Sequence, residues 1–405
     1  MKNKFYLAAF FMLLGFSCAD AQDAIVSPDT IPFQYQNNMI IVKVDIKGRP
    51  RNFFFDTGAP TLVSKELQQE MNLVLDSGKA VTDASSKTTE MKGAKLSSLK
   101  IGNLKLHNVP VTVFDMHRTI PQLACLNIEG FLGLDVFKQN IVQIDLQNKR
   151  LIISGSSAGL KPDERFGNKM IVLKAQNSVL VELKFGKVFI ENALFDTGMT
   201  GGLYSIANQT YKYVNQATPL DPYIVARGYG AASKVASGTE AESEKIKLKF
   251  EELSIGQAII KHPIVNTGNH PYSLLGVQLL KYGKVTLDFI NERFYFEPLV
   301  QNAVALIGKT AGFDLKIEGN DFFVGIVWKN SVAEKAGVKT GYKIIEYGSK
   351  KVENLTQEGV CKVLLGDTKD GRIKEKKTLR LKFLDDKGKV RLVSLPMVEV
   401  VSLKE

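Results

Sequence analysis

Two segments of this 405-residue chain follow one local pattern, and no other feature limits its fold so tightly. In the first, Ile40-Ile41-Val42-Lys43-Val44-Asp45-Ile46 alternates at the end of an apolar run and Gly48 turns the chain. Phe53-Phe54-Phe55 then leads into Asp56-Thr57-Gly58. In the second, Val179-Leu180-Val181-Glu182-Leu183-Lys184-Phe185 alternates likewise and Gly186 turns it. Ala193-Leu194-Phe195 then leads into Asp196-Thr197-Gly198. Period-two alternation around a glycine turn predicts a β-hairpin in both places, with the tripeptide ending a buried strand. Later landmarks keep the same order. Ile101-Gly102 is matched by Ile255-Gly256, each followed by a short apolar strand pattern with a proline, Pro110 or Pro263. Phe131-Leu132-Gly133 is matched by Leu274-Leu275-Gly276, and 12 residues beyond each glycine stands an aspartate, Asp145 or Asp288. The copies differ mainly in loop length, with 46 residues from Asp56 to Gly102 and 60 from Asp196 to Gly256. A duplicated β-lobe accounts for this order, and we place the lobes at 22–160 and 161–302.

One Asp-Thr-Gly is a weak signal, because Asp and Gly are ordinary turn residues. Two at matching points of a repeat carry chemical meaning. Carboxylates brought within ~3 Å of each other cannot both ionise, so such a pair holds one shared proton. The ionised member can take a proton from water while the protonated one hydrogen-bonds to a carbonyl, with neither metal nor covalent intermediate. Gly58 and Gly198 allow the tight backbone turn that such loops need.

Over about residues 30–300 the repeat resembles the aspartic proteases of the pepsin and retropepsin type. The resemblance implies one Asp-Thr-Gly loop per lobe across a pseudo-two-fold axis, with Asp56 and Asp196 as the catalytic carboxylates. Thr57 and Thr197 would hydrogen-bond across to the opposite loop, and the segments ending at Gly133 and Gly276 would lie beneath the loops. It implies endopeptidase activity on polypeptide, without a cofactor. A cleft that binds peptide but has lost turnover is the alternative. Ala59 after the first motif matches retropepsin-like enzymes, whereas Met199 after the second is unusual in either group. No counterpart of the pepsin flap tyrosine is evident. Asp83-Ala84-Ser85-Ser86 is the expected flap tip of the first lobe, and Arg227-Gly228-Tyr229-Gly230-Ala231 its glycine-rich loop counterpart in the second.

The repeat stops after Phe294-Tyr295-Phe296-Glu297-Pro298. Thr310-Ala311-Gly312-Phe313-Asp314-Leu315 then precedes a β-like run, Phe322 to Val327. Ser331 to Ile345 follows, with alanines before Gly337 and a strand pattern after Gly341. Within a domain placed at 303–405, about residues 303–400 resemble the PDZ domains of bacterial exported proteases, although Tyr342 stands where Asp is common and Val332 where Pro is common. The resemblance implies that the loop with Ala311, Gly312 and Phe313 offers N–H groups to a C-terminal peptide carboxylate. Val360, Val363 and Leu364 fit either a groove helix or ordinary core packing. The expected architecture is therefore mainly β: two pseudo-symmetric, β-barrel-like acid-protease lobes and a small β-rich PDZ-like domain.

The N-terminus reads as an export signal over 1–21. Lys2 and Lys4 precede an apolar stretch from Phe5 to Phe16, and Ala19-Asp20-Ala21 is a small-x-small cleavage pattern. Cys18, after Leu14-Gly15-Phe16-Ser17, approximates a lipid-attachment site, so a lipid-anchored form is the alternative. The expected location is periplasmic or extracellular, with no membrane-spanning segment in the mature chain. The formal charge of +11 is diffuse. About +6 of it falls in 303–405, partly in Arg372-Ile373-Lys374-Glu375-Lys376-Lys377. Interleaved acids and missing aromatics there argue against nucleic acid and suggest a solvated hairpin loop. His107, His117, His262 and His270 lack metal-ligand spacing and read as solvated loop residues, so no metal is expected. Cys125 and Cys361 fall in different domains and read as buried free thiols.

Overall fold

A computed structural model describes residues 27–400 apart from 77, 83–87, 158, 175–176, 233, 236–237 and 366–376. The leader, Cys18, the flap tip at 83–86 and the basic run at 372–376 lie outside the described residues. The fold is mainly β. Each copy of the repeat begins as an antiparallel meander. Strands Asp29–Gln36, Met39–Ile46 and Arg49–Phe55 form the first, and Gly167–Leu173, Ser178–Phe185 and Phe189–Asp196 the second. The alternation seen in sequence is an inside–outside alternation: Val42, Val44 and Ile46 are buried while Lys43 points out, and Val181, Leu183 and Phe185 are buried while Glu182 and Lys184 point out. The turns between strands need a left-handed residue, and Gly48 (φ +79°) and Gly186 (φ +53°) supply it.

Beneath each meander the chain returns. Phe53–Phe55 runs parallel to Gly130–Leu132, and Leu194–Asp196 runs parallel to Leu274–Gly276. A short strand after each Asp-Thr-Gly loop, Leu62–Ser64 or Tyr204–Ala207, then runs antiparallel to that same returning segment. It also runs parallel to Leu104–Phe114 in one lobe or Ile264–Gly268 in the other. The hydrophobic-hydrophobic-glycine segments therefore sit under the motif loops in both lobes.

The lobes share one sheet, ordered Asp29–Gln36, Arg150–Ser154, Ile141–Asp145, Gly283–Asp288, Arg293–Pro298, Gly167–Leu173. Its middle pair is antiparallel, with Ile144 opposite Val285 and Ile141 opposite Asp288, and this pair lies on the pseudo-two-fold. Gln143 there donates to Thr286 Oγ1 at 2.9 Å. The repeated aspartates close the hairpins that follow. Asp145 accepts the Asn148 backbone and side-chain N–H groups (3.0 and 2.7 Å), and Asp288 accepts those of Asn291 (2.9 and 2.7 Å). One continuous apolar core spans both lobes, from Ile31 to Ala305.

Residues 311–397 form a separate core containing Phe322, Val324, Ile344, Val360, Leu381 and Phe383. Around it lies an antiparallel sheet in the order Phe313–Glu318, Asp321–Trp328, Lys343–Tyr347, Thr378–Leu384, Val390–Pro396. The alanine-bearing helix is Val332–Lys335, capped by Ser331 Oγ, which accepts the Glu334 N–H at 3.1 Å. A second helix is Gln357–Leu364, from which Val360 enters the core while Val363 and Leu364 pack at its margin.

Three expectations are corrected. Cys125 and Cys361 are not free thiols but a disulfide with Cα atoms 5.1 Å apart. Helix Gln357–Leu364 lies on helix Pro121–Cys125 of the first lobe, so separate cores did not mean distant cysteines. Arg227–Gly230 is not a loop. It belongs to strand Ile224–Gly230, which pairs with Ser243–Lys249 on one side and with Asp321–Trp328 on the other. Two histidines are not solvated: His117 Nε2 lies 2.6 Å from the Ile128 carbonyl and His270 Nε2 2.7 Å from Ser205 Oγ.

Candidate active site

Each motif loop continues a buried strand, so the backbone fixes its aspartate before any side chain acts. Asp56 N–H donates to the Leu132 carbonyl at 3.0 Å. In the second lobe the parallel ladder sets Asp196 opposite Gly276. The loops then grip each other. Thr57 Oγ1 donates to the Phe195 carbonyl (2.6 Å) and accepts the Thr197 N–H (2.9 Å). Thr197 Oγ1 donates to the Phe55 carbonyl (2.8 Å) and accepts the Thr57 N–H (3.0 Å). Both threonines are fully buried, so these four bonds satisfy groups that water cannot reach. Valine would match the shape of either side chain but could neither donate nor accept.

The grip brings the carboxylates together. Asp56 and Asp196 are 7% and 9% exposed, and each lies against the glycine of the opposite loop. Room for this comes from the glycines. A Cβ on Gly58 would stand 2.5 Å from Asp196 Cγ, and one on Gly198 would stand 2.6 Å from Asp56 Cγ. Each glycine also donates its N–H to the aspartate of its own loop, Gly58 to Asp56 Oδ1 at 2.9 Å and Gly198 to Asp196 Oδ1 at 2.8 Å. Ala59 and Met199 offer no side-chain hydroxyl, but the Met199 N–H reaches Asp196 Oδ1 at 3.2 Å.

Burial pushes both carboxyls above the ordinary aspartate range. Asp56 rises furthest, because burial is joined by the negative charge of Asp196, and the N–H groups of Gly58 and Ala59 offset this only in part. For Asp196, burial is opposed by the hydrogen bond from Asp56 and by the N–H groups of Gly198 and Met199. The two carboxyls therefore titrate as one coupled pair, raised above the ordinary aspartate range.

The supports beneath the loops are residues that the motif spacing does not reveal. In the first lobe, Thr61 Oγ1 donates to Asp135 Oδ1 (2.6 Å), and the Thr61 N–H donates to the same oxygen at 3.1 Å. Thr61 Oγ1 also accepts the Gly133 N–H at 3.2 Å. Burial pushes Asp135 up, and the Thr61 donors pull it back in part. In the second lobe Glu191 accepts a hydrogen bond from the Tyr204 hydroxyl, and the Ser205–His270 contact ties the strand beside Asp196 to the following loop. Burial lowers His270 to about 4, so its ring is neutral at pH 7. Asp135 could have been noticed in sequence two residues after Gly133; the other pairs are set only by tertiary contact.

Ala311, Gly312 and Phe313 are not brought to the carboxylates; Ala311 and Phe313 belong to the second core. Gly312 adopts φ +87° and lies against the Ser331 side chain. Its N–H donates to Thr310 Oγ1 at 2.9 Å, and its carbonyl accepts the Trp328 N–H at 3.0 Å. The Gly312 N–H is thus already engaged inside the loop. Among the described residues, no group of three His, Cys, Asp or Glu side chains is placed to hold a metal ion, and no helix is long and apolar enough to cross a membrane.

Residues 42–136 match the family model for aspartyl protease, which places an aspartyl-protease-like domain in this chain. Among solved structures, the crystal structure of basic 7S globulin from soybean is similar, with a TM-score of 0.40 and 12% identity. The match covers 67% of this chain and 95% of that chain. A search of curated proteins returned no match.

Proposed function

We propose that this chain is an aspartic endopeptidase in which Asp56 and Asp196 activate a water molecule against a peptide bond. One observation carries the reading: two buried carboxylates, each set against the opposite loop's glycine, on loops locked by the reciprocal Thr57–Thr197 bonds. The ionised member of the pair takes a proton from the attacking water. The protonated member directs its proton at the carbonyl oxygen as that oxygen becomes an alkoxide. The resulting diol collapses when a proton reaches the leaving amine, and the dyad returns to its singly protonated state. Extended polypeptide is the substrate class, in keeping with the aspartyl-protease match of residues 42–136.

The C-terminal unit reads best as a PDZ-like module that takes a peptide as an added strand. Its strand Phe313–Glu318 pairs with Asp321–Trp328 on one side, and Gln357–Leu364 is its longer helix. The Cys125–Cys361 bridge is the chemistry of an oxidising compartment, and this supports the exported reading of the leader.

The test is hydrolysis of an unfolded polypeptide by the purified chain, followed by mass spectrometry between pH 3 and 8. Cleavage by the parent that is lost in both Asp56→Asn and Asp196→Asn supports the reading. Binding without cleavage at every pH would leave a peptide-binding cleft in its place.

A further inference from the structure

Residues 311–397 touch both lobes. On the first lobe, Cys361 is bonded to Cys125 and the Gln357 side chain donates to the Pro121 carbonyl at 3.3 Å. Leu365, just past the helix, packs against the cluster of Met39, Leu62 and Phe131, which Ala59 of the first catalytic loop also joins. On the second lobe, Gly228, Tyr229 and Gly230 pair with Trp328, Val327 and Ile326. The Ala231 N–H donates to the Gly325 carbonyl (2.9 Å) and the Lys329 N–H to the Arg227 carbonyl (2.7 Å). The Lys247 ammonium lies 4.3 Å from the centre of the Trp328 ring. The glycines suit this contact, because a Cβ on Gly228 would stand 2.9 Å from the Val327 carbonyl oxygen.

The hairpin held in this way, Ile224–Gly230 with Ser243–Lys249, occupies the place in the repeat that Gly78–Thr82 and Thr88–Ile101 occupy in the first lobe. In the first lobe, Met91 of that hairpin packs in the cluster that Ala59 of the motif loop joins. A unit bonded to the second-lobe hairpin and to the first lobe therefore sets how far the two can separate. The bridge joins residues 236 apart in sequence, and each side has its own complete core. Breaking it is expected to release one folded unit from another rather than to unfold either.

We propose that the Cys125–Cys361 disulfide is a redox latch on the cleft. This rests on the peptidase reading for its consequence, but not for the motion. In the oxidised chain the C-terminal unit ties the second-lobe hairpin to the first lobe and restricts entry of polypeptide. An external dithiol opens the latch. One thiolate attacks Cys125 or Cys361 sulfur and forms a mixed disulfide, and its second thiol displaces the protein sulfur. The dithiol becomes its own disulfide, while Cys125 and Cys361 take up two electrons and two protons. Both cysteines are only half-buried, so a small dithiol reaches them.

The experiment compares the full mature chain oxidised and in dithiothreitol, alongside Cys125→Ser/Cys361→Ser. Amide exchange over residues 121–125 and 357–365 reports the junction that the bridge closes. Reduction is expected to speed exchange there by about tenfold or more. It should also raise kcat/KM on an unfolded polypeptide by about fivefold or more. The double variant should match the reduced chain and ignore dithiothreitol. If it does not fold, the wild-type chain in the two redox states still decides. Unchanged exchange overturns the latch whatever activity does. Faster exchange with unchanged or lower kcat/KM overturns its control of the cleft. A chain that opens on reduction yet hydrolyses nothing in either state keeps the latch and refutes the peptidase reading.

Discussion

The Asp56 loop and the Asp196 loop are alike where they face each other and unlike where they are held. Facing inward, each has a buried threonine that donates to one carbonyl and accepts one N–H across the axis, and each has a glycine pressed against the opposite carboxylate. Facing outward, the first rests on Thr61 and Asp135, and the second on Tyr204 with Glu191 and on Ser205 with His270. Among the described residues, the first-lobe hairpin also has no added strand like the one Asp321–Trp328 gives the second. A shared-proton pair needs two matched approaches, so the inner geometry is constrained by chemistry. The supports need only be rigid, and several polar arrangements are rigid enough.

The strongest way to break this comparison is at the carboxylates. Asp56→Asn and Asp196→Asn should each reduce kcat by at least about a thousandfold, since either removes the dyad while keeping its volume. Both should also stabilise the fold at neutral pH. The folded-state pKa of each aspartate is raised, so its contribution is fully present below the unfolded pKa and is lost as pH rises through the folded value. Thermal melts should therefore show an Asn variant gaining over the parent at pH 7 to 8, with the gain vanishing toward pH 4. A variant that loses stability at pH 7 would contradict the raised pKa values.

The threonines test the inner symmetry. Thr57→Val and Thr197→Val each leave one buried N–H and one buried carbonyl unpaired, so each should cost about 2–5 kcal/mol in urea unfolding. The two costs should agree to about 1 kcal/mol, because the bond lengths on the two sides nearly match. A large imbalance would show that one lobe carries the grip.

The smallest effect sharpens the outer difference. Ala59 and Met199 present no hydroxyl to the dyad, so hydrolysis should peak at about pH 5–6. Ala59→Ser should supply a donor to ionised carboxylate, lower the smaller dyad pKa and move the acid limb of kcat/KM down by about one unit. Met199→Ser should move it in the same direction by offering a donor to Asp196. Profiles of the two variants that superpose on the parent would refute both statements.

Much of the site was legible in the sequence because its grammar is local. Alternation over seven residues, a glycine that tolerates positive φ and a tripeptide at a strand end all act within a few residues. Duplication then made chance an unlikely source of Asp56 and Asp196. The aspartates at 145 and 288 were visible as landmarks, and their role in closing hairpins follows from asparagines three residues on. Arg227–Ala231 misled because its glycines read as loop. They serve instead to let a second backbone come close.

By itself, then, the sequence determined the hairpins, the two motif loops and the pairing of threonine with glycine at each, since spacing along one strand dictates them. Only the tertiary structure decided that Cys361 meets Cys125, that strand Ile224–Gly230 is continued by Asp321–Trp328, and that Asp135 and His270 brace the two loops differently. These contacts join segments roughly 65 to 236 residues apart. They depend on how finished cores dock, and no local periodicity encodes that.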